Sequence, residues 1–111
     1  MHELAITQNL LEIALKSASD RKVKGITVVI GELSGIVEDS VRFCFEVVAA
    51  DTAAQGANLT FRTVPAHLRC TRCGLEFRME NGNWACPQCA NLGGKVVQGR
   101  ECYVESIEVE D

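Results

Sequence analysis

Cys70-Thr71-Arg72-Cys73 and Cys86-Pro87-Gln88-Cys89, two C-x2-C pairs separated by twelve residues, dominate this chain of 111 residues. Four thiols at that spacing form a tetrahedral sulfur cage for one divalent metal, and zinc is the expected ion. Each pair can fold into a tight turn that aims both sulfurs at a common point. Gly74 follows the first pair, where positive φ is cheap, and Pro87 stiffens the second. Four thiolates fill the coordination shell and leave no position for water or substrate, so such an ion holds a shape. Two disulfides, or a dithiol that cycles in redox chemistry, are the competing readings of the same cysteines.

The rest of the chain argues against both. No basic region, apolar core and small-residue cleavage site open the sequence, so export is not expected and a cytoplasmic location is. In a reducing cytosol, paired cysteines are metal ligands more often than disulfides. Cys44 and Cys102 lie within apolar patterns and read as small core residues. Hydrophobic residues make up 47% of the chain, enough for a core, and no apolar run approaches the ~20 residues that span a bilayer. No membrane role is expected.

The formal net charge is −4. Four thiolates around one divalent ion make it more negative still. A phosphate-binding surface needs a basic patch, and the only local excess is Arg69, Arg72 and Arg78 around the first knuckle. Those arginines more simply offset the anionic cage, so nucleic acid is not an expected partner.

Outward from the cage, residues 3–20 read as an amphipathic helix. Leu4, Gln8, Leu11, Leu15 and Ala18 carry the apolar spacing, widened by Ile6, Leu10 and Ala14. Residues 25–33 are rich in β-branched side chains and predict a strand, closed by a turn at Ser34-Gly35. Glu38-Asp39-Ser40 looks like a helix start, with a buried stripe of Val41, Cys44, Phe45, Val48 and Ala49 and an end near Ala50. Residues 57–64 alternate as a second strand, which Pro65 ends. Within the metal lobe, short strands are expected at Leu75–Met79 and around Trp84, joined through Asn81-Gly82, and Gly93-Gly94 closes it. Residues 96–110 predict one last strand. Its apolar residues conflict in parity, which suggests a bulge or a strand covered on both faces.

The expected fold is therefore α+β: two helices packed on a three-stranded sheet, with an inserted four-cysteine, zinc-ribbon-like lobe. The division is an α/β domain of residues 1–66 and 96–111 and an inserted zinc-binding domain of residues 67–95. So small a lobe buries little core, and metal must supply its folding energy.

The chain opens Met1-His2-Glu3. A bulky second residue should leave the initiator methionine in place, and its free amine is a usable nitrogen ligand near neutral pH. His2 adds an imidazole, and first-turn amide nitrogens are not committed to the helix ladder. Together they can make a planar nitrogen set suited to Ni(II) or Cu(II). A histidine beside a terminus is more often merely solvated. His67, the other histidine, reads as a surface or packing residue.

Met1-His2-Glu3-Leu4, Gly31-Glu32-Leu33-Ser34-Gly35 and the paired knuckles at 70–73 and 86–89, in that order, resemble the HypA/HybF family of nickel metallochaperones for [NiFe]-hydrogenase maturation. The resemblance spans essentially the whole chain. It implies a nickel site at the Met1 amine, His2 and Glu3, with His2 the indispensable side chain, and structural zinc at Cys70, Cys73, Cys86 and Cys89. It implies Ni(II) as cargo, with the HypB GTPase, docking near the nickel site, and the [NiFe]-hydrogenase large subunit as partners. The chain is then a monomer or weak homodimer. In some members a carboxylate before the second helix joins the nickel shell, a part open here to Glu38 or Asp39. Histidines that flank the knuckles in some members have no counterpart here.

Two other classes compete. A zinc-ribbon module that binds protein or nucleic acid, with no nickel role, would use Arg69, Arg72, Arg78 and Trp84. An enzyme is not expected: there is no Ser-His-Asp set, no phosphate loop and no open metal position.

Overall fold

The computed structural model describes residues 3–80 and 82–110. Eight elements follow in order: α1 (Glu3–Ala18), β1 (Val23–Gly31), α2 (Glu38–Val48), β2 (Asn58–Val64), β3 (His67–Cys70), β4 (Glu76–Arg78), β5 (Gly94–Gln98) and β6 (Cys102–Val109). They make two helices and two three-stranded sheets, ordered β2-β1-β6 and β4-β3-β5. The fold is α+β with a four-cysteine, zinc-ribbon-like lobe. No helix among the described residues is long and apolar enough to cross a membrane.

The chain divides into two compact units. One holds residues up to 29, 35–62 and 102 onward, and the other holds 30–34 and 63–101. In the first, β1 takes the centre of its sheet because its apolar run suits a strand covered on both faces: Val28 and Val29 are both buried. Edge strands β2 and β6 instead mix half-buried and exposed residues. In β6 the inward parity changes after Val104, since Glu105 and Ser106 are both exposed and Ile107 and Val109 are again half-buried. That phase change is the physical content of the parity conflict in the sequence.

Helix α1 buries Thr7, Leu10, Leu11, Ala14 and Ala18. The inward stripe is thus rotated from the one its leucines predict: Leu4 is half exposed and Gln8 exposed, while Thr7 goes inside. Thr7 is tolerated because its hydroxyl donates to the Glu3 carbonyl at 2.6 Å. The helix stops at Ala18, two residues early, because Ser19 and Asp20 turn left-handed (φ 51° and 71°). Helix α2 starts at Glu38 with no side-chain cap from Val37, so its acidic first turn is what complements the dipole. Val41, Phe45 and Ala49 are buried, with Cys44 and Val48 half-buried.

The second unit departs most from expectation. β3 is its central strand and carried no separate signal. It pairs antiparallel with β4 (Leu68 opposite Phe77) and with β5 (Leu68 opposite Val96). No strand forms around Trp84 among the described residues; an isolated bridge joins Glu80 to Asn83, and Asn81 of the expected turn lies outside those residues. The single last strand expected over 96–110 is two strands in different sheets, β5 and β6, broken at Gly99-Arg100-Glu101.

Residues 30–34 are held in this unit by backbone bonds. Gly31 N–H donates to Glu101 at 2.7 Å, Glu32 N–H to Val64 at 2.9 Å and Leu33 N–H to Gly99 at 2.6 Å. The Glu32 carboxylate, on an exposed residue, accepts from Ala66 N–H at 2.7 Å and so ties residues 30–34 to the segment after β2. At Gly31 the chains pass so closely that an added Cβ would stand 2.0 Å from the Gly99 carbonyl oxygen. Backbone on that side cannot yield as a side-chain tip would. Gly31→Ala should therefore cost about 2–3 kcal/mol or more by urea denaturation. Gly25→Ala, whose Cβ would meet only ordinary contacts at 3.6 Å, should stay within about 1 kcal/mol of the parent.

Candidate metal centres

Two knuckles of the same local design present the four sulfurs. In the first, Cys70 N–H donates to the Leu75 carbonyl (2.8 Å) and Gly74 N–H returns to Cys70 (3.0 Å). In the second, Cys86 N–H donates to Asn91 (2.9 Å) and Ala90 N–H returns to Cys86 (2.8 Å). Gly74 (φ 78°) and Ala90 (φ 62°) hold the left-handed position in each. Glycine announces that turn in the sequence. Alanine does not, and neither its conformation nor the role of Asn91 beside it was legible there.

All four sulfurs lie within 4.8 Å of one another, and no other group of three or more His, Cys, Asp or Glu among the described residues could hold an ion. The nearest sulfurs face each other across the knuckles, Cys70–Cys89 at 3.5 Å and Cys73–Cys86 at 3.6 Å. Metal–sulfur bonds of about 2.3 Å in a tetrahedron separate sulfurs by roughly 3.8 Å, so the donor set fits one thiolate-bound ion. A disulfide would need sulfurs about 2.05 Å apart, well inside what either pair shows. Leu68 and Phe77 lie beneath the buried Cys70 and Cys86, with Leu75, Met79, Cys89 and Val96 packed around them, while Cys73 is exposed.

The thiols are not equivalent. Cys70 is drawn down to about 6, first by the Cys73 N–H, against burial, and further by the Arg72 N–H, the Asn91 amide and the Cys89 thiol. The two backbone donors stand 3.4 and 3.5 Å from its sulfur and Asn91 Nδ2 at 3.7 Å. Cys73 is pushed up to about 12: the Leu75 N–H lowers it, but loss of solvent and the neighbouring sulfurs outweigh that. One thiolate thus forms readily at Cys70, while Cys73 and Cys89 are held above the ordinary thiol value.

Arg69, one of three basic residues near the first knuckle, forms an ion pair with Glu76 at 3.1 Å across the β3–β4 register. Arg72 and Arg78 are exposed, and so is Trp84. His67 is half-buried in β3 and joins no metal-ligating group among the described residues.

The second expected metal site falls at the chain start, where Met1 and His2 lie outside the described residues. Glu3 opens α1. It lines a depression of about 440 Å³ with Leu4, Asp39, Ser40, Phe43 and Cys44, which brings Asp39 of α2 and Glu3 to one place. Glu38 is not among the lining residues. A slightly larger depression of about 490 Å³, lined by Arg42, Phe45, Glu46, Ala49 and residues 55–59, offers no comparable set of ligand groups.

The family described as "Hydrogenase/urease nickel incorporation, metallochaperone, hypA" matches residues 1–109. The chain belongs to the HypA family. It is 44% identical to the hydrogenase maturation factor HypA of Dehalococcoides mccartyi, over all of this chain and 96% of that protein. It is 46% identical to the HypA of Geobacter metallireducens, over 99% and 100% respectively. Its fold matches the solution structure of the Ni metallochaperone HypA from Helicobacter pylori with a TM-score of 0.70 at 22% identity, covering 98% and 97% of the two chains. A second HypA solution structure gives 0.73 at 23% identity over 99% and 97%. The HypA family assignment and the four-cysteine cluster together support a part in hydrogenase maturation.

Among the described residues, Asn91 is the one side chain outside the cysteines that reaches a cage sulfur with an N–H. Asn91→Leu should speed metal loss to a competing chelator about tenfold, measured on metal-loaded protein, because outer-shell partners tune metal retention on that scale.

Proposed function

We propose that this HypA-family chain carries Ni(II) at its amino terminus and hands it on during [NiFe]-hydrogenase maturation, with zinc in the Cys70, Cys73, Cys86 and Cys89 cage as structural support. Nickel is cargo, held by the Met1 amine, His2 and Glu3. The observation that carries this reading is the meeting of Glu3 and Asp39 at one depression in a chain of this family.

The physics favours carboxylates there. Helix N-termini present positive partial charge, which repels a cation. Glu3 stands in the first turn of α1, and Glu38 and Asp39 stand in the first turn of α2. Those acids reverse the local sign. Asp39 is the carboxylate of choice for completing the nickel shell, since it shares the depression with Glu3. A nitrogen-rich site at a chain end binds weakly enough for a recipient's ligands to capture the ion. Cu(II) would bind the same nitrogens at least as well, so selectivity rests on partner contacts and metal supply.

The zinc cage has the opposite character. Its shell is complete, and removing the ion takes away the link between the two knuckles and leaves a core of a few side chains. The unit that carries the cage, residues 30–34 and 63–101, is thus the metal-dependent part of the chain. The chain acts in the cytoplasm as a carrier and not an enzyme, with the HypB GTPase and the hydrogenase large subunit as its partners.

Ni(II) titration followed by elemental analysis tests this. The parent should bind nickel beside about one zinc per chain, the stoichiometry of a closed site of four thiolates. His2→Ala should abolish nickel binding and keep the zinc. Asp39→Asn should weaken nickel about tenfold, as loss of one ligand does. Equal nickel affinity in parent and His2→Ala would overturn the assignment. Chelation of zinc should strip amide-exchange protection from Leu68, Cys70 and Phe77 while Ile26 and Val28 keep theirs, by two-dimensional NMR.

A further inference from the structure

We infer that Cys73 is a site of reversible oxidation, and that a hydroperoxide joins it to Cys86 as a disulfide, opening the sulfur cage. This second state of the cage rests on the reading that the cage holds a thiolate-bound ion. It is independent of nickel carriage.

Exposure separates the four sulfurs. Cys70 and Cys86 are each 2% exposed and Cys89 is half-buried, whereas Cys73 is open to solvent. A thiol that ligates a metal does so as thiolate, so coordination supplies the charged sulfur at Cys73 whatever the acidity of the free thiol. Oxidation follows thiolate character and access together, and Cys73 in the loaded cage has both. Cys70 is closed off, and the N–H groups of Arg72 and Cys73 and the Asn91 amide already lie against its sulfur. Donors of that kind stabilise the charge on sulfur and lower its nucleophilicity.

An oxidised cysteine stays recoverable when a second thiol stands close enough to resolve it. Cys86 Sγ lies 3.6 Å from Cys73 Sγ. Closing that gap to the disulfide length of roughly 2.05 Å takes a movement of about 1.5 Å. Cys86 is set among Leu68 and Phe77, so the exposed Cys73 is the side chain that moves.

Two steps complete the bond. The Cys73 thiolate attacks one oxygen of the hydroperoxide; the S–O bond forms, the O–O bond breaks, and the departing hydroxide or alkoxide takes a proton from water. The Cys86 thiolate then attacks the sulfur of that sulfenic acid; the S–S bond forms, the S–O bond breaks, and a second hydroxide leaves. The two sulfurs together give up two electrons, which reduce the peroxide bond. Only Cys70 and Cys89 remain as donors, half of a closed shell, and a chelator takes the ion from them. The new bond runs from knuckle to knuckle. It therefore replaces the link that the ion had made, and a thiol reductant restores all four donors.

The test uses the full metal-loaded chain, hydrogen peroxide and a chromogenic zinc chelator, with peptide mapping after the remaining thiols are alkylated. Zinc should appear in step with a Cys73–Cys86 disulfide, and dithiothreitol with added zinc should restore the starting content. Cys73→Ser should lose the peroxide-dependent release. Where that variant loads zinc poorly, the disulfide map of the parent decides alone. Amide exchange distinguishes the oxidised chain from a stripped one: Leu68 and Phe77 should stay protected after peroxide and lose protection when the reduced chain is chelated. Disulfides within the knuckles, Cys70–Cys73 and Cys86–Cys89, would overturn the proposal. So would oxidation of Cys44 or Cys102 ahead of Cys73, or zinc release indifferent to peroxide. A chain isolated without zinc would sink the structural-zinc reading. The same chain loaded with Co(II), whose thiolate absorption reports loss of the ion, would still decide the fate of Cys73.

Discussion

Four sulfurs held within 4.8 Å of one another set the terms for the second compact unit. Thiolates that close repel one another, and a divalent charge at their centre offsets that repulsion. The surrounding chain is built for that charge. Backbone N–H groups of Arg72 and Cys73 and the amide of Asn91 already favour an anion at Cys70 before any ion arrives. Leu68, Phe77 and a few partly buried neighbours supply the apolar floor. That floor is too small to fold a lobe by burial alone, so the cage is where its stability is concentrated.

A second constraint is purely steric. Gly31 and Gly99 meet backbone to backbone, and Glu32 then reaches the Ala66 N–H. Three segments distant in sequence, at Gly31-Glu32, Ala66 and Gly99, are thereby fixed in one node, none of these residues a ligand of the sulfur cage. Gly31-Glu32-Leu33 is part of the stretch that carries the family resemblance, and the node supplies a physical reason for two of those residue types. Glycine is required by close approach, and glutamate by an amide that would otherwise lack an acceptor.

The helical unit handles charge differently. Its acids gather at the starts of α1 and α2, where they complement both helix dipoles, and Glu3 and Asp39 share a depression as a result. Stabilising a helix start and attracting a cation call for the same residue type at the same place. A loosely held ion can therefore be accommodated there without any dedicated scaffold, in contrast to the sulfur cage, whose every turn is committed to its ligands.

The sequence by itself determined the two helices, the central strand and the four-cysteine cluster, because each rests on local signals: 3.6-residue periodicity, β-branched runs and a fixed C-x2-C spacing. It also carried the family resemblance through short motifs. Only the tertiary structure decided which strand joins which sheet. The run over 96–110 looks continuous in apolar pattern, but β5 pairs with β3 and β6 joins β1, and pairing between distant segments leaves no local trace. The same holds for Thr7 replacing Leu4 on the buried face of α1, for Ala90 turning left-handed, and for Asn91 reaching Cys70. In each case the deciding partner lies outside the local window from which periodicity and propensity are read, or bends a residue away from its usual preference.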